Sequence, residues 1–245
     1  MPLLASDILM RTLEGKIALV SGGTGALGRA VSSAFVAAGA RIVATYMAED
    51  EIPAFRAVLP QGSYELVRVD LRRGSEIADL VRRLLATHGR IDVLVNLAGG
   101  FWGGVPLSET PEAEIDRLFA MNLKTAFLCA QAVVPAMLRQ RAGCIINVAA
   151  RPALVGGAGM SAYAIAKAGV VALTRVLADE VREHGVTVNA IAPSTIDTAA
   201  NRAAMPQADP ARWVRPEEIA ATMVFLASDA AVATSGAIVP IYARS

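Results

Sequence analysis

A chain of 245 residues that is 54% hydrophobic, with 23 basic and 22 acidic side chains, has a formal net charge of +1 and a pI near 7.8. The length suits a single α/β domain over 1–245 with residues 1–13 as an N-terminal extension, and the charge balance excludes nucleic acid and an anionic membrane surface as expected partners. No uninterrupted apolar run approaches the ~18 residues of a membrane span. MPLLASDILMRT at the N-terminus lacks a basic start and a cleavage site, so a cytoplasmic protein is the expectation.

KIALVSG reads as the first strand. It runs into SGGTGALGRA, in which Gly23–Gly28 fits G-x-G-x-x-G between a strand and the helix LGRAVSSAFVAAG. Glycines let a backbone turn tightly against a pyrophosphate, whose charge then rests on the helix N-terminus. The second strand, ARIVATY, ends in Thr45-Tyr46-Met47, and the acidic residues Glu49, Asp50 and Glu51 come only later. Neither an acid for a ribose hydroxyl nor a base for a ribose phosphate stands at the strand end, so the choice between NAD and NADP stays open.

YELVRVD, IDVLVNLAG, GCIINVAA, VTVNAIAP and AIVPI supply five more strands. Most are continuous Val- and Ile-rich runs, as in parallel strands covered on both faces. Helical stretches separate them, including SEIADLVRRLLATHG and one long helix, EIDRLFAMNLKTAFLCAQAVVPAML. This alternation predicts a Rossmann-type doubly wound parallel sheet of seven strands with helices on both faces. Cys129 and Cys144, set in apolar stretches, read as buried free thiols rather than disulfide or metal ligands. His88 and His184 each precede a glycine at a helix end, where a cation meets the helix dipole.

The helix SAYAIAKAGVVALTRVLADEVREHG places Tyr163 and Lys167 one turn apart on one face. A cation beside a phenol lowers its pKa, which suits a proton donor near neutral pH. The segment NVAARPAL upstream offers no hydroxyl to serve as a second hydrogen-bond donor. The first half of the helix is apolar around most of its circumference, and burial of Ala164, Ala168 and Val171 against another subunit is the expectation.

From about Gly15 to Ile241 the sequence resembles the short-chain dehydrogenase/reductase family. The T-G-x-x-x-G-x-G loop appears as Ser21-Gly22 through Gly28 with Ala26 for the middle glycine, and N-N-A-G appears as Asn96-Leu97-Ala98-Gly99. Asp70 ends the third strand, Asn122 lies in AMNLKTAF, and Tyr163 with Lys167 matches Y-x-x-x-K. Pro193 with Thr198 matches P-G-x-x-x-T, with Ser194 in place of glycine. The resemblance implies Tyr163 as proton donor, Lys167 as the group that lowers its pKa and holds the nicotinamide ribose, and Asn122 as holder of a relay water. It implies an NAD or NADP site made of Gly22, Gly25, Leu27, Gly28, Tyr46, Asp70, Leu71, Asn96, Ala98, Gly99, Tyr163, Lys167, Pro193, Ile196 and Thr198, no metal, a small-molecule substrate, and a homo-oligomer, tetramer or dimer.

The family's catalytic serine, thirteen positions before the tyrosine, is here Ala150, and Ser161 on the tyrosine's own segment is not its substitute. G-G-x-G-A-L-G at Gly22–Gly28, Ala98-Gly99-Gly100-Phe101-Trp102-Gly103-Gly104, and the stretch from Thr195 through Met205-Pro206 to Trp213 resemble the dihydropteridine reductases, which also carry alanine at that place. Under that resemblance Ala150, Phe101, Trp102 and Met205 would face a quinonoid dihydropterin or similar conjugated acceptor. The alternatives are a carbonyl or alcohol oxidoreductase of another substrate and a dinucleotide-binding regulator without turnover.

Overall fold

The computed structural model describes residues 12–244. Seven strands form one sheet: β1 (Ile17–Ser21), β2 (Arg41–Tyr46), β3 (Tyr64–Arg68), β4 (Val93–Asn96), β5 (Gly143–Val148), β6 (Val186–Pro193) and β7 (Ile238–Ile241). All neighbours are parallel, in the order β3-β2-β1-β4-β5-β6-β7. The seven expected strands are all present. The winding reverses between β1 and β4, and in such sheets the crevice beyond the strand ends at that point receives the ligand.

The continuous apolar runs are explained by two cores. In β1, Ala18 and Val20 point to one face and Leu19 to the other, and all three are buried. The first face is covered by α1 (Ala26–Ala37), α2 (Ile52–Val58) and α9 (Pro216–Ala227), through residues such as Phe35, Phe55 and Met223. The second is covered by α3 (Gly74–His88), α5 (Thr125–Gln140) and α7 (Ser161–Val181), with the single turn α6 (Pro152–Val155) packed on α7. Ile77, Leu80, Val81 and Leu84 of α3 form the buried stripe, and Gly89 ends that helix at φ +73°. Leu13, assigned from sequence to the extension, is fully buried and donates its N–H to the Ala38 carbonyl at 2.9 Å. Residues 1–11 of that extension lie outside the described residues.

Three expectations need refining. The long helix around Asn122 is continuous but not α-helical throughout: α4 (Glu112–Phe119) passes through a π turn at Ala120–Lys124 into α5. The apolar period continues through the turn, so nothing in the sequence marks it, although π turns gather at functional sites. Counting uninterrupted runs also understated two segments. Glu112–Gln140 and Ser161–His184 are each long and apolar enough by length and composition to cross a membrane, with a mean hydropathy of 1.3 over 18 residues. Here both line the second face of the sheet. Finally, Val171 is buried within its own chain, whereas Ala168 is exposed and Ala164 half-buried. The outward stripe of α7 is Ile165, Ala168, Ala172 and Val176.

Candidate active site

The glycine loop follows β1 and is stitched to its neighbours by buried hydroxyls. Ser21 Oγ accepts from the N–H groups of Leu97 (3.0 Å) and Ala98 (3.1 Å), which fastens the loop after β4 to the end of β1. Thr45 accepts from Gly22 N–H through Oγ1 (3.1 Å) and from Gly23 N–H through its carbonyl (3.0 Å). Gly28 lies so close to the loop that a Cβ there would run into the Gly22 carbonyl oxygen and the Gly23 backbone. The cleft of about 540 Å³ above the loop is lined by Gly22, Gly25, Leu27, Gly28, Tyr46, Asp70, Leu71, Ala98 and Gly99, all sequence-predicted. Thr24, Thr45, Met47, Glu51, Arg72 and Met121 also line it and were not predicted.

Asp70 lines the cleft, but its carboxylate is held by Arg72: Nε and Nη2 each donate at 2.8 Å. The Arg72 hydrogen bond is the main reason its pKa falls to about 2. Asn96 sits below the cleft rather than in it. Its Nδ2 donates to Asn147 Oδ1 (2.8 Å), and Asn147 Nδ2 donates to Thr174 Oγ1 (2.9 Å), so β4, β5 and α7 are joined by a buried polar chain.

Asn122 and Lys167 meet beside Gly99, and Tyr163 stands one turn before Lys167 on α7. Asn122 Nδ2 donates to the carbonyls of Gly100 (3.0 Å) and Leu118 (3.1 Å), and its Oδ1 accepts from Gly100 N–H (3.2 Å). Its side chain therefore pins the loop after β4, a role that the expected relay water did not suggest. A Cβ at Gly99 would stand 2.5 Å from Asn122 Oδ1 and 3.4 Å from Lys167 Nζ, so only glycine lets the three elements close up. Lys167 is 5% exposed, and its Nζ donates to the Val148 carbonyl at 2.8 Å.

The Tyr–Lys pair differs electrostatically from the expectation. Nζ lies 6.0 Å from the centre of the Tyr163 ring. Burial pushes the Tyr163 phenol up to about 12 and the Lys167 ammonium down to about 8. Desolvation disfavours both charged forms and outweighs the attraction of cation for phenolate at this separation. Phe101 meets the Tyr163 ring edge-on, with centroids 5.1 Å apart, while Trp102 is half-buried beside it in the chain.

Ala150 is buried at the end of β5 and brings no hydroxyl. Its neighbour Arg151 does not stand in. Its N–H donates to the Pro193 carbonyl (2.9 Å), and its guanidinium lies 5.3 Å from the centre of the Tyr242 ring. Ser161 Oγ pairs with Thr110 Oγ1 at 3.5 Å. After β6, Thr198 uses its hydroxyl to cap α8 (Ala199–Ala204), accepting from Asn201 N–H at 3.1 Å. Ile196 bridges to Val214. Pro193, Ile196 and Thr198 thus lie outside the lining of the cleft, as does Met205, which is 38% exposed at the end of α8. Burial pushes the thiols of Cys129 and Cys144 up to about 12 and about 11, which keeps both unreactive near neutral pH.

A glycine loop at the switch point, with a half-buried Tyr163 and a buried Lys167 beyond it, is the layout of a dinucleotide-binding α/β oxidoreductase. The family profile described as short chain dehydrogenase matches residues 16–209. A 3-oxoacyl-[acyl-carrier-protein] reductase of Thermotoga maritima is 32% identical over 94% of this chain and 97% of its own. A D-threitol dehydrogenase of Mycolicibacterium smegmatis is 36% identical over 92% and 90%. The crystal structure of levodione reductase superposes with a TM-score of 0.88 at 30% identity, covering 94% of this chain and 97% of that one. The chain belongs to the short-chain dehydrogenase/reductase family.

Proposed function

We propose that the chain is an NAD(P)-dependent oxidoreductase of small carbonyl or alcohol substrates, with Tyr163 as its proton donor and acceptor. A nicotinamide dinucleotide, bound along the cleft from Thr24 to Gly99, would supply or take up the hydride. The observation that carries the reading is Tyr163 beside Lys167 on α7, with Lys167 and Asn122 both packed on Gly99 at the edge of the cleft. With its pKa near 12 the phenol holds its proton at neutral pH and can deliver it to an oxygen that gains charge. Lys167, charged below about 8, supplies the positive field behind that proton. Asn122 acts as a positioning residue by fixing Gly100. The relatives named as 3-oxoacyl and threitol enzymes support a carbonyl–alcohol interconversion.

A narrower reading of the substrate is favoured by Ala150 and Phe101. A simple ketone concentrates charge on one oxygen, and loss of a donor there typically costs about 10²–10³ in rate. A conjugated, electron-poor ring such as a quinonoid dihydropterin spreads the charge, and Phe101 offers it an aromatic surface beside Tyr163. A regulator that only binds dinucleotide would have no use for a relay asparagine at Asn122 beside the Tyr–Lys pair. Turnover with NADH and NADPH against a panel of simple ketones, polyols and quinonoid dihydropterins tests these readings. Tyr163→Phe is expected to lose ~10³-fold or more in kcat while dinucleotide affinity changes little. Near-normal turnover by that variant would remove the assigned proton donor.

The same proposal includes a cytoplasmic homo-oligomer built on the outer face of α4, α5 and α7. There Ile115, Phe119, Leu123 and Phe127 border a groove with Ala172 and Val176. Phe127 is 49% and Val176 57% exposed, which supports a second copy as the cover of this face.

A further inference from the structure

The end of the cleft beyond β2 carries a carboxylate that the strand end itself does not supply. Glu51 closes a 3-10 turn, Glu49–Glu51, that folds back over the glycine loop. Its Oε2 accepts from Thr24 Oγ1 at 2.5 Å, so the loop holds the carboxylate in place. A Cβ at Gly25 would lie 3.9 Å from the other oxygen, Oε1, which puts that oxygen beside the turn into α1. Glu51, Asp70 and Arg72 are the charged residues lining the cleft. Asp70 and Arg72 neutralise each other. No ion pair among the described residues involves Glu51. Arg29, the basic residue next to the loop in sequence, does not line the cleft and donates Nη1 to the Thr24 carbonyl at 2.8 Å.

In sheets of this kind the adenosine ribose lies between the glycine loop and the end of the second strand, where an acidic residue about 20 positions beyond the loop binds its hydroxyls. Glu51 follows Gly28 by 23 positions, but it arrives from the turn rather than from the strand. We propose that Glu51, oriented by Thr24, makes this site select NAD(H) over NADP(H). The inference rests on the cleft being the dinucleotide site. Thr24 occupies Oε2 and leaves Oε1 to accept from a ribose hydroxyl. A 2′-phosphate has no such proton to offer and sets roughly −1.5 to −2 charges against an uncompensated carboxylate.

Titration of the full chain with NADH and NADPH, read by ligand fluorescence, tests this without turnover. ADP and adenosine 2′,5′-bisphosphate, competed against NADH, read the adenosine end alone. Wild type should bind NADH at least ~30-fold more tightly than NADPH, with the gap shrinking as ionic strength rises. Glu51→Gln should narrow the gap ~10-fold, mainly by tightening NADPH, and Thr24→Val should narrow it ~3-fold by freeing the carboxylate. Circular dichroism would establish that both variants are folded, and the salt series on wild type stands if one is not. Equal affinities, a preference for NADPH, or a gap that survives in folded Glu51→Gln would overturn the role of Glu51. Failure to bind either dinucleotide would instead overturn the site itself.

Discussion

Lys167→Met should make the protein more stable at neutral pH and less stable in alkali, because the lysine is charged and buried at once. Its pKa falls from 10.5 to about 8 on folding, which corresponds to ~3 kcal/mol for carrying the charge into the folded state at about 1.36 kcal/mol per unit. Methionine removes that cost but leaves the Val148 carbonyl without its 2.8 Å partner, a loss of ~1–3 kcal/mol. The net change at pH 7 is therefore a gain of ~0–2 kcal/mol. Between about 8 and 10.5 the unfolded wild type binds more protons than the folded one, so its stability rises with pH across that window. Above it only the lost hydrogen bond remains, and the variant should be the less stable by ~1–3 kcal/mol. Tyr163 works in the opposite direction: with its pKa raised from 10 to about 12, its contribution is present below 10 and lost as pH rises through 12. Cys129 and Cys144 behave likewise from 9 upward, and all three cancel when variant and wild type are subtracted at each pH. Urea unfolding of both proteins at pH 7 and pH 10 would measure the difference. A ΔΔG that stays constant within ~0.5 kcal/mol would refute a charged, desolvated lysine at this position.

Two further outcomes bear on the substrate and the assembly. Ala150→Ser should raise kcat/KM on simple ketones by ~10-fold or more if the hydroxyl reaches the substrate oxygen, and should leave conjugated acceptors nearly unchanged; equal gains on both would separate the alanine from substrate choice. Val176→Asp should shift the protein toward smaller species in light scattering at micromolar concentration, whereas an unchanged mass would mean that the groove beside α7 is not the subunit contact.

How much was legible depended on the kind of signal each residue carries. The strands were readable because a parallel strand covered on both faces must be apolar throughout, and Ile17–Ser21, buried at every position, shows why. Ala150 was found only through the family resemblance, which implies a serine thirteen positions before Tyr163. The π turn was not legible, because Ala120–Lys124 carries neither Gly nor Pro to mark an interruption of the helix. Glu51 was passed over because an acid is sought at the strand end, and only the 3-10 turn after β2 brings it back against Thr24. The Tyr163–Lys167 spacing fixed the face they share but not their charges, which depend on burial and on the Val148 carbonyl.

The polar atoms beneath the cleft speak to whether the site still turns over. Asn96, Asn122, Asn147, Lys167 and Thr174 are all buried, and their hydrogen bonds form three separate sets that serve β4, β5, α7 and the loop at Gly100. Each buried polar group left unpaired costs ~1–3 kcal/mol, while a well-packed apolar substitute for both partners can be neutral or stabilising. A chain that only bound dinucleotide would keep the glycine loop and Lys167, which the ribose would also use, but could replace Asn122 with an apolar residue packed against Gly100. This chain instead lacks the one hydroxyl at Ala150 and keeps the costly set around Tyr163. Such selective retention fits a donor made unnecessary by the acceptor better than it fits a site in decay.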